Sequence, residues 1–310
     1  MKKISILLPT YNEQENIKPL CEGIKKMFLQ NLPTYDYEIL IIDNHSKDDT
    51  RKVVEKLCVE DKKIKAIFNA RNFGHIRSPY HGLMQAGGDC VIAMCSDFQD
   101  PPEMIEQFVK EWEEGYKIVI GIKRKSKENP VMYVFRSAYY KLIRKIADVD
   151  QIEHFTGFGL YDKEFIKVLR KLDDPMPYLR GIVAELGFER KEIEYEQQKR
   201  RFGKTKNNFF TLYDIAMLGI TSYSKVVMRL ATLAGFAIAG LSFLIALTYL
   251  IMKLVFWDRF PMGTAPIIIS IFFLGSIQLF FIGFLGEYIL NINTRVMKRP
   301  LVIEEKRINF

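Results

Sequence analysis

Residues 230–252 and 260–286 carry no charged side chain over 23 and 27 consecutive positions. A helix crosses the hydrocarbon core of a bilayer with roughly 20 apolar residues, so each run is long enough to span. Two buried helices of a soluble core would also be apolar, but such helices are shorter and keep a polar stripe. The runs therefore predict a two-helix transmembrane hairpin: a first span over 229–257, an outward turn around Trp257 and Gly263, and a second span over 264–291.

Charge sets the orientation. Lys204, Lys206, Lys225 and Arg229 precede the first run, and Arg295, Lys298, Arg299, Lys306 and Arg307 follow the second. The positive-inside rule places both ends, and with them the first two hundred or so residues, on the cytoplasmic side of an inner, cytoplasmic membrane crossed more than once. The start, MKKISILLPTYNE, has a basic pair but a short apolar stretch ended by Pro9, which is a strand entering a loop rather than a signal peptide. The net charge of +8 over 310 residues is clustered beside the spans, which suits anionic lipid headgroups. No nucleic-acid-binding module accompanies it, so nucleic acid is not an expected partner. Cys21, Cys58, Cys90 and Cys95 lack metal spacing and read as free thiols, and His45, His75, His81 and His154 are too scattered for a zinc site.

The first half alternates short apolar runs (ISILLPT, YEILIIDN, IKAIFN, DCVIAMCSD) with amphipathic segments (EQENIKPLCEGIKKMFLQ, DDTRKVVEKLCVE, SPYHGLMQAG). That pattern predicts a mostly parallel α/β sheet, Rossmann-like, with helices on both faces. Ligands of such sheets lie beyond the carboxyl ends of the strands. Thr10, Asn12 and Glu13 follow the first strand, Asp43, Asn44 and Ser46 the second, Arg71 and Asn72 the third, and Asp97, Gln99 and Asp100 the fourth.

At these strand ends the motifs LPTYNE, IIDNHSKDDT, ARNFG and SDFQDPPE occur in order, followed by FTGFGLYDK, YLRGIVAELGF, RRFGKTK and GEYILNINTRVMKRP. Together they resemble the family 2 glycosyltransferases, whose nucleotide-sugar-binding fold is called GT-A. With the apolar hairpin included, the chain is similar to the polyprenyl-phosphate branch, which holds dolichol-phosphate mannose synthases and bactoprenol glucosyltransferases. The resemblance covers nearly the whole chain and implies a catalytic domain at 1–206, a juxtamembrane interfacial helix at 207–228, the two spans, and a cytoplasmic tail at 292–310.

The resemblance also implies roles. Pro9, Tyr11, Asn12, Glu13, Asp43, Arg71, Ser96 and Asp97 would bind the nucleotide, with Asp43 on the base or ribose and Arg71 on the diphosphate. Asp43 could also cap the turn that follows it, the nucleotide reading being favoured, Arg71 could equally be a surface charge, and Asp48 and Asp49 suit a helix N-terminus. Relatives usually show Asp-x-Asp before x-Gln; here Cys95 stands at the first aspartate, leaving Asp97 and Gln99 to hold Mg²⁺ or Mn²⁺. A hard cation completed by water and phosphate oxygens accepts so few protein ligands. Asp100 reads as a further ligand or as the cap of the turn before Pro101, the cap being favoured.

Many relatives carry an acidic residue where this chain has Thr156-Gly157-Phe158. A hydroxyl acceptor would miss that base, whereas a lipid phosphate, with a second pKa of about 6, is already anionic. Arg180, Arg200, Arg201, Lys204 and Lys206 would hold the acceptor or diphosphate, and Asp97, Arg201 and Lys206 are the expected catalytic residues. QKRRF places Gln198, Arg201 and Phe202 on a Gln-x-x-Arg-aromatic motif; contact with lipid headgroups alone is the other reading of these cations. Residues 131–147, with Arg136, Lys141, Arg144 and Lys145, and residues 207–225 read as membrane-surface helices or as helices packed on the domain.

The sequence thus predicts an inverting, metal-dependent transfer of one hexose, UDP-glucose being the expected donor, to undecaprenyl or a similar polyprenyl phosphate on the cytoplasmic face. Modification of O-antigen or wall polymer, a homotetramer, a flippase and an extracytoplasmic glycosyltransferase as functional partners follow from the family. A processive polysaccharide synthase, a lipid-hydroxyl glycosyltransferase and a degenerate membrane scaffold are the rival readings.

Overall fold

Hydrophobic alternation explains the centre of the sheet. In β1 (Lys3–Thr10), Ile4, Ile6 and Leu8 point to one face and Leu7 to the other, and β2 (Asp36–Asp43) repeats this with Ile39 and Ile41 against Leu40 and Ile42. The computed structural model describes residues 1–125, 152–202, 209–223, 226–255, 264–297 and 299–310. Its remaining strands are β3 (Ile64–Asn69), β4 (Cys90–Ala93), β5 (Ile118–Lys125), β6 (Phe155–Asp162), β7 (Arg190–Glu196) and β8 (Glu304–Ile308). They form one eight-stranded sheet in the order β7-β5-β6-β4-β1-β2-β3-β8.

The sheet is mixed, with four of its seven strand pairings parallel. β1 pairs in parallel with β2 and β4, β2 with β3, and β5 with β7, but β4–β6, β5–β6 and β3–β8 are antiparallel. The parallel expectation rested on the first four strands, whose helical crossovers enforce it; the later strands enter from other directions.

On one face lie α1 (Ile17–Asn31), α2 (Thr50–Glu60) and α4 (Met104–Glu113), which bury Leu20, Phe28, Val54, Phe108 and Trp112 against Ile6, Ile41 and Phe68. The other carries α3 (Gly74–Gln85), α5 (Lys163–Leu172) and α6 (Leu179–Glu185), with Leu83, Phe165 and Ile182 against Leu7 and Ile67. Each such side chain contributes roughly 1.5–3 kcal/mol of burial, so both faces are needed to hold the strand ends in register.

Three further helices follow: α7 (Phe209–Tyr223), α8 (Val226–Val255) and α9 (Thr264–Val296). Among the described residues, Phe273–Val296 is long and apolar enough to cross a membrane by length and composition. Exposed Leu, Ile and Phe side chains recur along α8 and α9, among them Leu233, Phe236, Ile271 and Phe280. The turn expected around Trp257, the helix expected at 131–147 with Arg136, Lys141, Arg144 and Lys145, and Lys204, Lys206, Lys225 and Lys298 lie outside the described residues. α7 packs on α9: Tyr213 Oη donates to Glu287 (3.1 Å), and Asn291 Nδ2 donates to Thr221 (2.9 Å).

The segment read as a tail returns to the sheet. Residues of β8 pair with β3, Ala66 opposite Ile308 and Phe68 opposite Lys306. Asn309 Nδ2 donates to the carbonyls of Cys58 and Ile64, both at 2.7 Å. Its alternation of charged residues gave no apolar signal, and the pairing is made by backbone and ion pairs instead.

Candidate active site

The carboxyl ends of β1 and β4, the start of α3, the first half of β6 and the segment entering α6 enclose a cleft of about 650 Å³. After β1 the chain turns through Asn12, whose φ of 55° lies in the left-handed region. The turn is fixed across to the β2–α2 loop: Asn12 N–H donates to Ser46 Oγ (2.8 Å), and Asn12 Oδ1 accepts from Lys47 N–H (2.7 Å). Glu13 N–H then donates to Thr50 Oγ1 (2.8 Å), which sends the Glu13 carboxylate into the cleft. One of its oxygens accepts from Asn16 Nδ2 (2.7 Å) and the other from Arg200.

The loop after β4 is closed by two aspartates with separate duties. Asp97 Oδ1 accepts from Gln99 N–H (3.1 Å) across Phe98, itself at φ 63°. Asp100 is buried, and its carboxylate oxygens accept from Cys95 N–H and from Tyr195 Oη, both at 2.9 Å. Asp100 therefore closes the turn, as favoured from sequence, and Asp97 and Glu13 are the other carboxylates that line the cavity. Ser96 Oγ donates to Pro9 O (2.8 Å) and lies 3.1 Å from Thr10 Oγ1, tying the ends of β1 and β4 together. Cys95 also faces the cleft, beside Asp97 and Asp100.

The strand extension after β7 lies across this loop. Gln198 N–H donates to Gln99 O (3.2 Å) and Arg201 N–H to Asp97 O (3.4 Å). Successive side chains then point opposite ways: Arg200 enters between Glu13 and Asp97, its Nη1 3.7 Å from Asp97 Oδ2, while Arg201 stacks over Phe98 (5.2 Å) and Phe202 (5.9 Å). Asp97 is only 8 % exposed. Burial pushes its carboxyl above the usual range, with the Gln99 N–H and the Arg200 guanidinium pulling it back down.

Pro9, Tyr11, Glu13, Ser96, Asp97, Gln99, Arg180 and Arg200 thus come together in one cavity. Asn12 sits behind it, bound to the neighbouring loop. Asp43 is fully buried at the end of β2; its carboxylate accepts from Ser46 N–H (3.1 Å) and lies 3.5 Å from Arg51 Nε, the turn-capping arrangement. Burial raises the pKa of Asp43 in spite of these partners. Arg71 lies over its neighbour Phe73 at 4.3 Å. Sequence reasoning passed over the amide network that sets this wall: Asn44 Nδ2 donates to Asn72 Oδ1 (2.9 Å), and Asn44 Oδ1 accepts from Phe73 N–H (2.9 Å). It also assigned no site role to His75 and Tyr178 in the lining; His75 follows the ARNFG motif and Tyr178 opens YLRGIV.

The donor set around Asp97 is oxygen-based, one carboxylate and one amide, with a guanidinium already held against the carboxylate. Among the described residues no group of three His, Cys, Asp or Glu side chains converges as a metal site. The arrangement fits a hard divalent cation that draws most of its ligands from phosphate and water.

The chain belongs to glycosyl transferase family 2, whose profile matches residues 5–187. It is a glycosyltransferase. Over 98% of its length and 98% of the relative's, it is 33% identical to the SfII prophage-derived bactoprenol glucosyl transferase of Shigella flexneri. It is 31% identical to the uncharacterized glycosyltransferase YkcC of Bacillus subtilis, over 97% of this chain and 93% of that one. Among solved structures, glucosyl-3-phosphoglycerate synthase of Mycobacterium tuberculosis in complex with Mn²⁺, UDP and phosphoglyceric acid superposes with a TM-score of 0.48 at 16% identity, covering 71% of this chain and 76% of that one.

Proposed function

We propose that the protein transfers one hexose from a nucleotide-diphosphate sugar, UDP-glucose as first choice, to a polyprenyl phosphate at the cytoplasmic face of the membrane, with inversion. The observation that carries this reading is the link between cleft and apolar helix. Arg295 in the last turn of α9 pairs with Asp174 at 3.3 Å, three residues before the cleft-lining Pro177. A lipid phosphate held at headgroup level would thus meet the cleft beside the end of a helix able to cross the bilayer, and the full-length similarity to bactoprenol glucosyl transferases supports the same acceptor.

In this reading Pro9, Tyr11 and Glu13 bound the nucleotide, with Asp43 and Arg71 supporting it from the adjoining strand ends. Arg200, with Arg201, Lys204 and Lys206, neutralises the diphosphate as it leaves; donors fixed where charge develops are the largest single contribution to such a step. Mg²⁺ or Mn²⁺, held by Asp97 and Gln99, would supply Lewis-acid neutralisation of the same leaving group. Arg180 faces the acceptor phosphate, whose oxygen attacks opposite the departing diphosphate. That oxygen carries no proton that must leave, so Gly157 in the place of an acid is no obstacle. α8 and α9 form the membrane hairpin, and the product lipid would be turned outward by a flippase for use by an extracytoplasmic glycosyltransferase.

A donor screen tests the reading: thermal unfolding of the full-length protein with Mn²⁺ and each nucleotide sugar. UDP-glucose is expected to raise the midpoint, and to do so less in EDTA, because a ligand bound only to the folded state stabilises it. If no nucleotide sugar shifts the midpoint, the reading fails.

A further inference from the structure

The cleft is lined by two kinds of surface. The strand-end loops and the segment after β7 supply its charged groups, Glu13, Asp97 and Arg200 among them. From α3 comes an apolar stripe: Ile76, Pro79, Tyr80 and Leu83 all line the cavity and stand at i, i+3, i+4 and i+7, which puts them on one side of the helix. Tyr80 Oη donates to the carbonyl of Leu169 (3.4 Å), a residue outside the lining, so its hydroxyl is already engaged. Pro177 and Leu179 line the same cavity where the chain enters α6. Tyr80 and Leu83 are buried, whereas Ile76, Pro79 and Leu179 are half-buried and keep apolar surface open to the cleft.

Contacts tie this apolar surface to the end of the long apolar helix. Arg77, next to Ile76, donates from Nε to Met176 Sδ (3.2 Å), next to Pro177, and so joins α3 to the segment entering α6. Met176 N–H donates to Asp174 Oδ1 (3.0 Å), and the other oxygen of Asp174 pairs with Arg295 in the last turn of α9 (3.3 Å). At its inner end the surface meets a cation, because the cleft-lining Arg180 follows Leu179 directly. Leu179 Cδ2 lies 3.9 Å from where a Cβ on Gly157 would stand, so glycine leaves that flank of Leu179 without a side chain.

We propose that Ile76, Pro79, Tyr80 and Leu83, with Pro177 and Leu179, form a subsite for the isoprenoid units next to the phosphate of the acceptor lipid. This rests on the lipid-phosphate acceptor reading above and adds to it a set of residues that read the chain rather than the phosphate. A phosphate at Arg180 sets its first prenyl carbons beside Leu179, and the chain follows the apolar surface towards Met176 and the end of α9, where the bilayer takes over. Those units leave the hydrocarbon to reach the cleft, and burial against apolar side chains spares them exposure to water. The donor hexose suits this surface poorly, since its hydroxyls would lose water against side chains that return no hydrogen bond.

The test is equilibrium binding of radiolabelled geranyl phosphate and glycerol 3-phosphate, a phosphate monoester on an isoprenoid and one on a polar chain, to full-length protein in phosphatidylcholine nanodiscs, with partition into empty nanodiscs subtracted. Wild type is expected to bind geranyl phosphate about tenfold more tightly or better. Ile76→Ser with Leu179→Ser is expected to remove that preference, weakening geranyl phosphate about tenfold and leaving glycerol 3-phosphate and UDP-glucose unchanged. Ile76→Leu with Leu179→Met keeps volume and apolarity and should bind as wild type does, which separates lost chain contact from lost fold. Unchanged geranyl phosphate binding in the serine variant overturns the proposal, as does an equal weakening of both phosphates. Wild-type protein that glucosylates undecaprenyl phosphate but shows no preference for geranyl phosphate would sink this subsite and leave the acceptor reading standing. A preference abolished by the serine pair, without sugar transfer to any lipid phosphate, would support the subsite and sink the proposed reaction.

Discussion

Arg200 Nη1 stands 3.7 Å from Asp97 Oδ2, so the carboxylate expected to hold a divalent cation is already faced by a protein cation. The same guanidinium reaches Glu13 and donates from Nε to Phe202 O (2.8 Å). Arg200 thus balances two buried acids before any ligand arrives. Arg200→Gln should tighten Mn²⁺ binding in the absence of donor severalfold, about 1 kcal/mol, because the competing charge is gone. It should also slow transfer by about tenfold or more, since neutralisation of the diphosphate is lost. Mn²⁺ titration by electron paramagnetic resonance reads the first effect and steady-state kinetics the second; unchanged Mn²⁺ affinity would remove the competition argument.

Glu38 contributes to the acid stability of the domain. Its side chain is nearly inaccessible and is held by Lys3 (2.5 Å), Lys65 (3.0 Å), Ser5 Oγ (2.7 Å) and Gly87 N–H (2.8 Å). Burial alone would raise its pKa; these partners outweigh it and bring the carboxyl down to about 2 from an ordinary 4.5. A depressed pKa contributes stability that is fully present above about 4.5 and is lost as pH falls towards 2. The size is about 3 kcal/mol. Denaturant unfolding should therefore show Glu38→Gln less stable than wild type at neutral pH, with the gap closing as pH drops through that window. A gap independent of pH would contradict the assignment.

Gly157 reads from sequence as a missing acid, and its backbone adds a second reason for glycine. It has φ 99°, a conformation side chains avoid, even though a Cβ there would meet only Leu179 Cδ2 at 3.9 Å. Gly157→Asp should destabilise the domain by about 1–2 kcal/mol, seen as a lower unfolding midpoint, and should not raise transfer to a phosphate acceptor. Enhanced transfer would mean that a base is in fact useful at this position.

β8 covers the outer edge of β3, and Arg51 bridges from Glu305 on β8 (2.7 Å) to the buried Asp43 (3.5 Å). Removing residues 304–310 exposes that edge and takes away one partner of Arg51. The expected outcome is a lower unfolding midpoint, concentration-dependent association by light scattering, and weaker binding of UDP-glucose. A truncated protein that stays monodisperse and binds donor normally would show β8 to be dispensable.

The strand-end chemistry was legible because β1 to β4 are continuous apolar runs, each ending in polar residues that must lie on one side of the sheet. The mixed half was not. β7 reads RKEIEYE and β8 reads EEKRI, and such charged strands are fixed by partners far along the chain rather than by their own pattern. The motif singled out Asp97 and Gln99, and both line the cleft, whereas which of Arg200 and Arg201 faces it needed the strand geometry that turns one inward and the other onto Phe98. Asn44 and Asn72 escaped as wall-setting residues because their bond spans 28 positions, a relation that spacing cannot express.

The central claim is transfer of a hexose to a lipid phosphate, and mass spectrometry of the lipid product tests it most directly. Full-length protein incubated with UDP-glucose, Mn²⁺ and undecaprenyl phosphate should yield a lipid monophosphate carrying one hexose. Asp97→Asn, folded to the same extent, should yield about a hundredfold less or lower still. Absence of any hexosyl lipid with every nucleotide sugar tried, or a product rate untouched by Asp97→Asn, would contradict the account.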